Sequence, residues 1–116
     1  MKYASIQNYI NGQFVDSVSQ RTLNVISPLD GAILSTVPLS SKDELNEAVA
    51  AAKTAFTKWS KTPIKDRVQV FFRYKFLLEK HLDELSALVS EENGKTTGEA
   101  VAEIEKCIEL TEFACS

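Results

Sequence analysis

Hydrophobic positions change period once along this chain, near residue 40. Before it, apolar residues come in short runs separated by turn formers. Tyr9-Ile10 and Phe14-Val15 flank Asn11-Gly12, a pair that takes positive φ readily and predicts a two-residue type I′ hairpin turn. A second hairpin is expected from Thr22–Val25 to Ile33–Val37. It turns through Ser27-Pro28-Leu29-Asp30-Gly31, where Pro28 fixes φ and Gly31 frees the exit.

From residue 41 the period becomes helical. Ser41-Lys42-Asp43-Glu44 has the form of a capping box, a hydroxyl and a carboxylate satisfying each other's orphan amides. Leu45, Ala48, Val49, Ala52, Phe56 and Trp59 then recur at three- and four-residue steps. That spacing predicts one buried stripe, narrow at its alanines and anchored in the core by Trp59. Thr62 is expected to cap the next helix with Pro63 at its first position, where a missing amide costs nothing.

Val68, Phe71, Lys75, Leu78, Leu82 and Leu85 form the seam of that helix, widened by Phe72 and Phe76. Lys75 interrupts the seam and is expected to snorkel its charge outward. The run continues through Leu88 and Val89, with a bend near His81, and stops at Gly94 as a left-handed cap. Thr96 to Glu99 repeats the capping-box pattern, and Ala100, Ile104, Cys107, Ile108, Thr111 and Cys115 mark the stripe of a last helix. The expectation is an α+β chain: antiparallel β-hairpins over residues 1–40, then three or four helices over 41–116, within one partial domain spanning 1–116.

Composition narrows the function classes. At 116 residues there is no room for a cofactor domain beside a catalytic domain. A net charge of −3 gives no basic field, which argues against nucleic acid. No apolar run approaches the ~20 residues of a membrane span. Met1 to Ser5 turn polar too soon to open a secretory signal, so a cytoplasmic location is expected.

Little of the chain has the makings of catalysis. Cys107 and Cys115 would lie ~12 Å apart on one helix. A disulfide needs less than ~7 Å, and two half-buried thiols are the expectation. Cys107 stands among Glu103, Glu105 and Glu109, which oppose a thiolate, and Cys115 has no cationic neighbour in sequence. His81, the single histidine, sits between Lys80 and Asp83 with no nucleophile at a recognised spacing. Gly94-Lys95-Thr96-Thr97-Gly98 is similar to the end of a phosphate loop. It lacks the upstream glycine and the preceding strand, so a helix cap and turn is the better reading. The glutamates from Glu91 to Glu112 spread around their helices as a solvated acidic face. No catalytic, cofactor-binding or metal-ligating residue is expected.

The order of these features resembles a known family. The set runs Tyr9-Ile10-Asn11-Gly12-Gln13-Phe14-Val15, Pro28-x-x-Gly31, Val37-Pro38, then the alanine helix ending at Trp59, then Glu92-Asn93-Gly94-Lys95. It resembles the amino-terminal part of an aldehyde dehydrogenase. Within that superfamily, the stretch from Gln69 to Leu78 and the end from Thr111 to Ser116 are most similar to the methylmalonate-semialdehyde dehydrogenase branch.

The resemblance implies a parent enzyme that oxidises methylmalonate or malonate semialdehyde with NAD and coenzyme A, giving acyl-CoA and CO2. It also implies that the family's nucleophilic cysteine, general-base glutamate, oxyanion asparagine and NAD loop lie beyond Ser116, leaving an inactive truncated piece.

Two departures stand out. Ser27 replaces the asparagine usual before the proline. Lys106 stands where this branch often carries an arginine that holds the substrate carboxylate, and a point charge is not a bidentate fork. Lys106 is therefore the one substrate-binding candidate, against a plain surface ion pair with Glu103. A succinate-semialdehyde-type parent is the nearest alternative, and a non-catalytic helical interaction module is the alternative of another class. The parent is expected to be a homo-oligomer and the chain itself to self-associate through its apolar helix faces.

Overall fold

The computed structural model describes residues 1–116 as two compact units, Met1–Lys61 and Thr62–Ser116. In the first, β1 (Asn8–Ile10) and β2 (Gln13–Val15) form an antiparallel hairpin. Asn11 (φ 53°) and Gly12 (φ 78°) make its turn with the two positive φ values a type I′ turn demands. Tyr9 faces Phe14 across the ladder, with ring centroids 4.8 Å apart and planes tilted by 59°.

A second hairpin joins β3 (Thr22–Ile26) and β4 (Ile33–Pro38). Its register shifts between Val25 and Ile26, whose partners are Ser35 and Ile33, so Leu34 is left without a Cα partner in a bulge. Leu34 and Ser35 are both buried. Residues 2–6 run alongside β4: the Tyr3 amide donates to the Leu34 carbonyl at 2.8 Å, and the Ile6 amide to the Thr36 carbonyl at 2.8 Å. The turn before β4 closes where Gly31, at φ 74°, donates its amide to the Ser27 carbonyl.

Helix α1 (Lys42–Trp59) begins with the expected capping box. The Glu44 amide donates to Ser41 Oγ at 3.2 Å, and the Ser41 amide to the Glu44 carboxylate at 2.7 Å. That carboxylate also accepts from the Val18 amide at 3.1 Å, tying the helix start to the strand region. The buried stripe expected on α1 is corrected, because no residue of α1 is buried. Ala48 and Ala51 are half-buried and line open grooves together with Tyr9 and Ile10 of the first hairpin. Leu45, Val49 and Phe56 stay about 60% exposed and Trp59 42% exposed, so Trp59 is no core anchor. The physical reason is that no strand or helix of the chain packs along α1, which is partly covered only at Glu44, Ala48 and Ala51.

The second unit is helical: α2 (Ile64–Lys80), α3 (Leu82–Asn93) and α4 (Thr97–Cys115). Pro63, not Thr62, is the N-cap of α2. Its extended ψ of 144° aims its carbonyl at the amides of Asp66 and Arg67. The bend near His81 is a break between two helices, with His81 at φ −108° and ψ 20° serving both as cap of α2 and as N-cap of α3. Gly94 ends α3 in the left-handed region, φ 69°. Helix α4 packs on α2 and α3, and Leu78, Ala100 and Ile104 form the small apolar core. Thr111 is buried beside them, its hydroxyl donating to the Cys107 carbonyl at 2.7 Å.

Candidate functional site on the last helix

Lys106 sits in the middle of α4, whose start is fixed by a second capping box. The Thr96 amide donates to the Glu99 carboxylate at 3.0 Å, and the Glu99 amide to Thr96 Oγ1 at 3.4 Å. The expected Lys106–Glu103 pair does not form. Glu103 is engaged by Lys95 from the loop before the helix, and Lys106 Nζ instead meets Glu109 one turn onward, at 2.8 Å. Both members are more than half exposed, 60% and 68%. An exposed pair of this kind is worth little net free energy.

Lys75 behaves otherwise. Its side chain is three-quarters buried, and the covered stem carries its ammonium out to the exposed carboxylates of Glu79, at 3.0 Å, and of Glu112 on α4, at 3.3 Å. Hydrogen bonds from Glu79 and then Glu112 raise the pKa of its ammonium. The lysine is thus a strut between two helices. Its role was hidden in the sequence because the partner lies 37 residues away on another element.

The thiols are placed as one helix would place them, but Cys107 is exposed rather than half-buried, while Cys115 is half-buried. His81 Nδ1 lies 3.0 Å from Glu84, a local pair at the start of α3. No group of three or more His, Cys, Asp or Glu side chains is arranged to hold a metal ion. No helix is long and apolar enough to cross a membrane.

A dinucleotide pyrophosphate is held by bare amides at a helix N-terminus. The Glu44 and Glu99 carboxylates already occupy the starts of α1 and α4. Glu44 is held below its usual pKa by the Ser41 backbone amide first, then by Ser17. Glu99 is held down by the Thr96 hydroxyl first, then by its backbone amide. The first turns of α2 and α3 carry Asp66 and Asp83-Glu84. A phosphate at any of the four would meet an acidic side chain. Gly94 to Gly98 is a cap and turn in which Ser90 Oγ donates to the Lys95 carbonyl at 2.7 Å.

Comparison with known proteins agrees with this architecture. Malonate-semialdehyde dehydrogenase 1 of Geobacillus thermodenitrificans is 48% identical over 110 residues, covering 95% of this chain and 23% of that protein. The malonate-semialdehyde dehydrogenase of Bacillus pumilus is 45% identical over 109 residues, 94% of this chain and 22% of its own length. This chain therefore spans about a quarter of the length of the curated relatives it matches. Among solved structures, a protein from Sinorhizobium meliloti assigned as a methylmalonate-semialdehyde dehydrogenase and complexed with NAD superposes with a TM-score of 0.92. It is 34% identical, and the match covers 100% of this chain and 23% of that one. Lactaldehyde dehydrogenase from Escherichia coli also reaches a TM-score of 0.92, at 25% identity, over 97% of this chain and 24% of its own. The hairpins and four helices are those of the amino-terminal part of the aldehyde dehydrogenase fold. With the aldehyde dehydrogenase family model matching residues 14–116 as well, this chain belongs to the aldehyde dehydrogenase family.

Proposed function

We propose that residues 1–116 are the amino-terminal part of an NAD-dependent malonate- or methylmalonate-semialdehyde dehydrogenase. The parent would convert a semialdehyde, coenzyme A and NAD into acyl-CoA, CO2 and NADH. The observation that carries this reading is the 48% identity to malonate-semialdehyde dehydrogenase 1 over 95% of the chain. In this reading the 116 residues form one partial domain of a cytoplasmic, homo-oligomeric parent, with strands and turns over 1–40 and helices over 41–116. In this reading the nucleophile, the general base and the NAD loop belong to the rest of the parent enzyme.

Lys106 is the residue assigned to substrate. Exposed on α4 and held only by the exchangeable Glu109 pair, it would take the carboxylate that distinguishes a semialdehyde acid from a simple aldehyde. The chain alone is expected to be inert. Incubated with malonate semialdehyde, NAD and coenzyme A it should give no NADH absorbance, and calorimetric titration with NAD should give no saturable heat. Turnover proportional to protein, or a stoichiometric micromolar Kd, would overturn the division of labour proposed here.

A further inference from the structure

Two asparagines of this chain precede a glycine, Asn11-Gly12 in the first hairpin and Asn93-Gly94 at the end of α3. In such a pair the glycine amide nitrogen can reach the asparagine side-chain carbonyl carbon, because no Cβ stands beside it. Both asparagines are exposed, so water reaches them alike and the backbone is what separates them.

At Asn11 the backbone is ready to move. Asn11 is the one non-glycine residue at positive φ, 53°, a conformation that L side chains adopt at a cost. The ladder pairs Asn8 with Val15, Tyr9 with Phe14 and Ile10 with Gln13, leaving Asn11 and Gly12 outside it. A Cβ placed on Gly12 would meet no atom within 4 Å, so nothing crowds the attacking nitrogen. The hairpin is a two-stranded sheet with three residues to a strand, and such a pair opens at little cost.

At Asn93 the same dipeptide is held. Asn93 is the last residue of α3, and the Gly94 amide donates to the Ser90 carbonyl at 2.9 Å. Ser90 Oγ in turn donates to the Lys95 carbonyl at 2.7 Å. Freeing the Gly94 nitrogen means unwinding the end of a helix that packs on α4.

We infer that Asn11 is a site of spontaneous deamidation and that the fold protects Asn93. The Gly12 nitrogen bonds to Asn11 Cγ as the Cγ–Nδ2 bond breaks. Ammonia leaves with the proton of the Gly12 amide, and a succinimide ring remains. Water then adds to open the ring: cleavage of the bond to Cγ gives aspartate, and cleavage of the bond to the main-chain carbonyl carbon gives isoaspartate. Aspartate before glycine still suits a type I′ turn, so that product keeps the hairpin. Isoaspartate puts an extra methylene into the main chain. A two-residue turn sets the register, so the facing of Tyr9 on Phe14 is then lost. The inference concerns this chain's own backbone and does not depend on the activity of a longer parent.

Peptide mapping by mass spectrometry tests it, on the full 116-residue chain held at mildly alkaline pH with and without urea. In urea the two dipeptides should convert at similar rates. In the folded chain Asn11 should convert on the order of tenfold or more faster than Asn93. Its product should separate into two peptides of equal mass, aspartyl and isoaspartyl. Asn11→Gln should abolish the acidic species that forms first in the folded chain, and Asn93→Gln should leave it unchanged. Equal rates at the two sites in the folded chain overturn the inference. So does an Asn11 that converts in urea but stays as intact as Asn93 in the folded chain.

Discussion

Nζ of Lys75 on α2 lies 3.3 Å from a carboxylate oxygen of Glu112 on α4, while also holding Glu79 on its own helix. This three-group cluster is an electrostatic link between the two helices, beside the apolar contact. Its ammonium has a raised pKa in the folded chain. The stabilisation is therefore fully present below the unfolded lysine value, near 10.5, and is lost as pH rises through the folded value. Urea midpoints followed from pH 8 upward should fall in the alkaline limb for the wild type. Lys75→Met should remove that component of the slope. Identical alkaline slopes in both proteins would mean the link contributes nothing.

At the acid end the two capping boxes contribute, as does Asp30, whose carboxyl the Ala32 backbone amide holds below its usual value. Glu44 and Glu99 have depressed pKa values in the folded chain, so their contribution is present above the unfolded value of 4.5 and is lost as pH falls through the folded values. Helicity followed by circular dichroism should decline below about pH 4.5, and Glu44→Gln with Glu99→Gln should flatten that decline. Removing the hydroxyl partner instead, Ser41→Ala, should cost about 1 kcal/mol at neutral pH. A Ser41→Ala chain as stable as the wild type would show that the cap contributes no stability.

Core and surface should separate cleanly in the second unit. Ile104 is 8% exposed beneath α2 and α3, and Ile104→Ala should cost about 2–5 kcal/mol in denaturant unfolding. Ile64, at the start of α2, is 71% exposed, and Ile64→Ala should stay within about 0.5 kcal/mol of the wild type. Equal losses at both positions would contradict the packing described here.

Local chemistry was legible in the sequence. Asn11-Gly12, Ser41/Glu44, Thr96/Glu99 and Gly94 each act within a few residues of themselves, so residue type and spacing sufficed to find the turn, the caps and the stop. Tertiary coverage was not legible. The 3.6-residue period of α1 names an apolar face but cannot say whether any neighbour is large enough to bury it, and so Trp59 was expected inside and lies open. The same limit hid the partner of Lys75. It also misdirected Lys106, for which Glu103 and Glu109 are equally spaced; only the capture of Glu103 by Lys95 breaks the tie. At Thr62-Pro63 the cap moved by one residue because Pro63 itself adopts the extended ψ.

The most direct test is a graft. Residues 14–116, the span matched by the family model, would replace the equivalent segment of the Geobacillus thermodenitrificans malonate-semialdehyde dehydrogenase. The chimera should produce NADH from malonate semialdehyde in a coenzyme A-dependent manner. Lys106→Ala in that chimera should raise KM for malonate semialdehyde about tenfold to a hundredfold, as one charge-assisted contact of about 1.5–3 kcal/mol implies, and leave simple aldehydes unaffected. A folded chimera that binds NAD yet oxidises only uncharged aldehydes, or a Lys106→Ala change that weakens both substrate classes equally, would contradict the account.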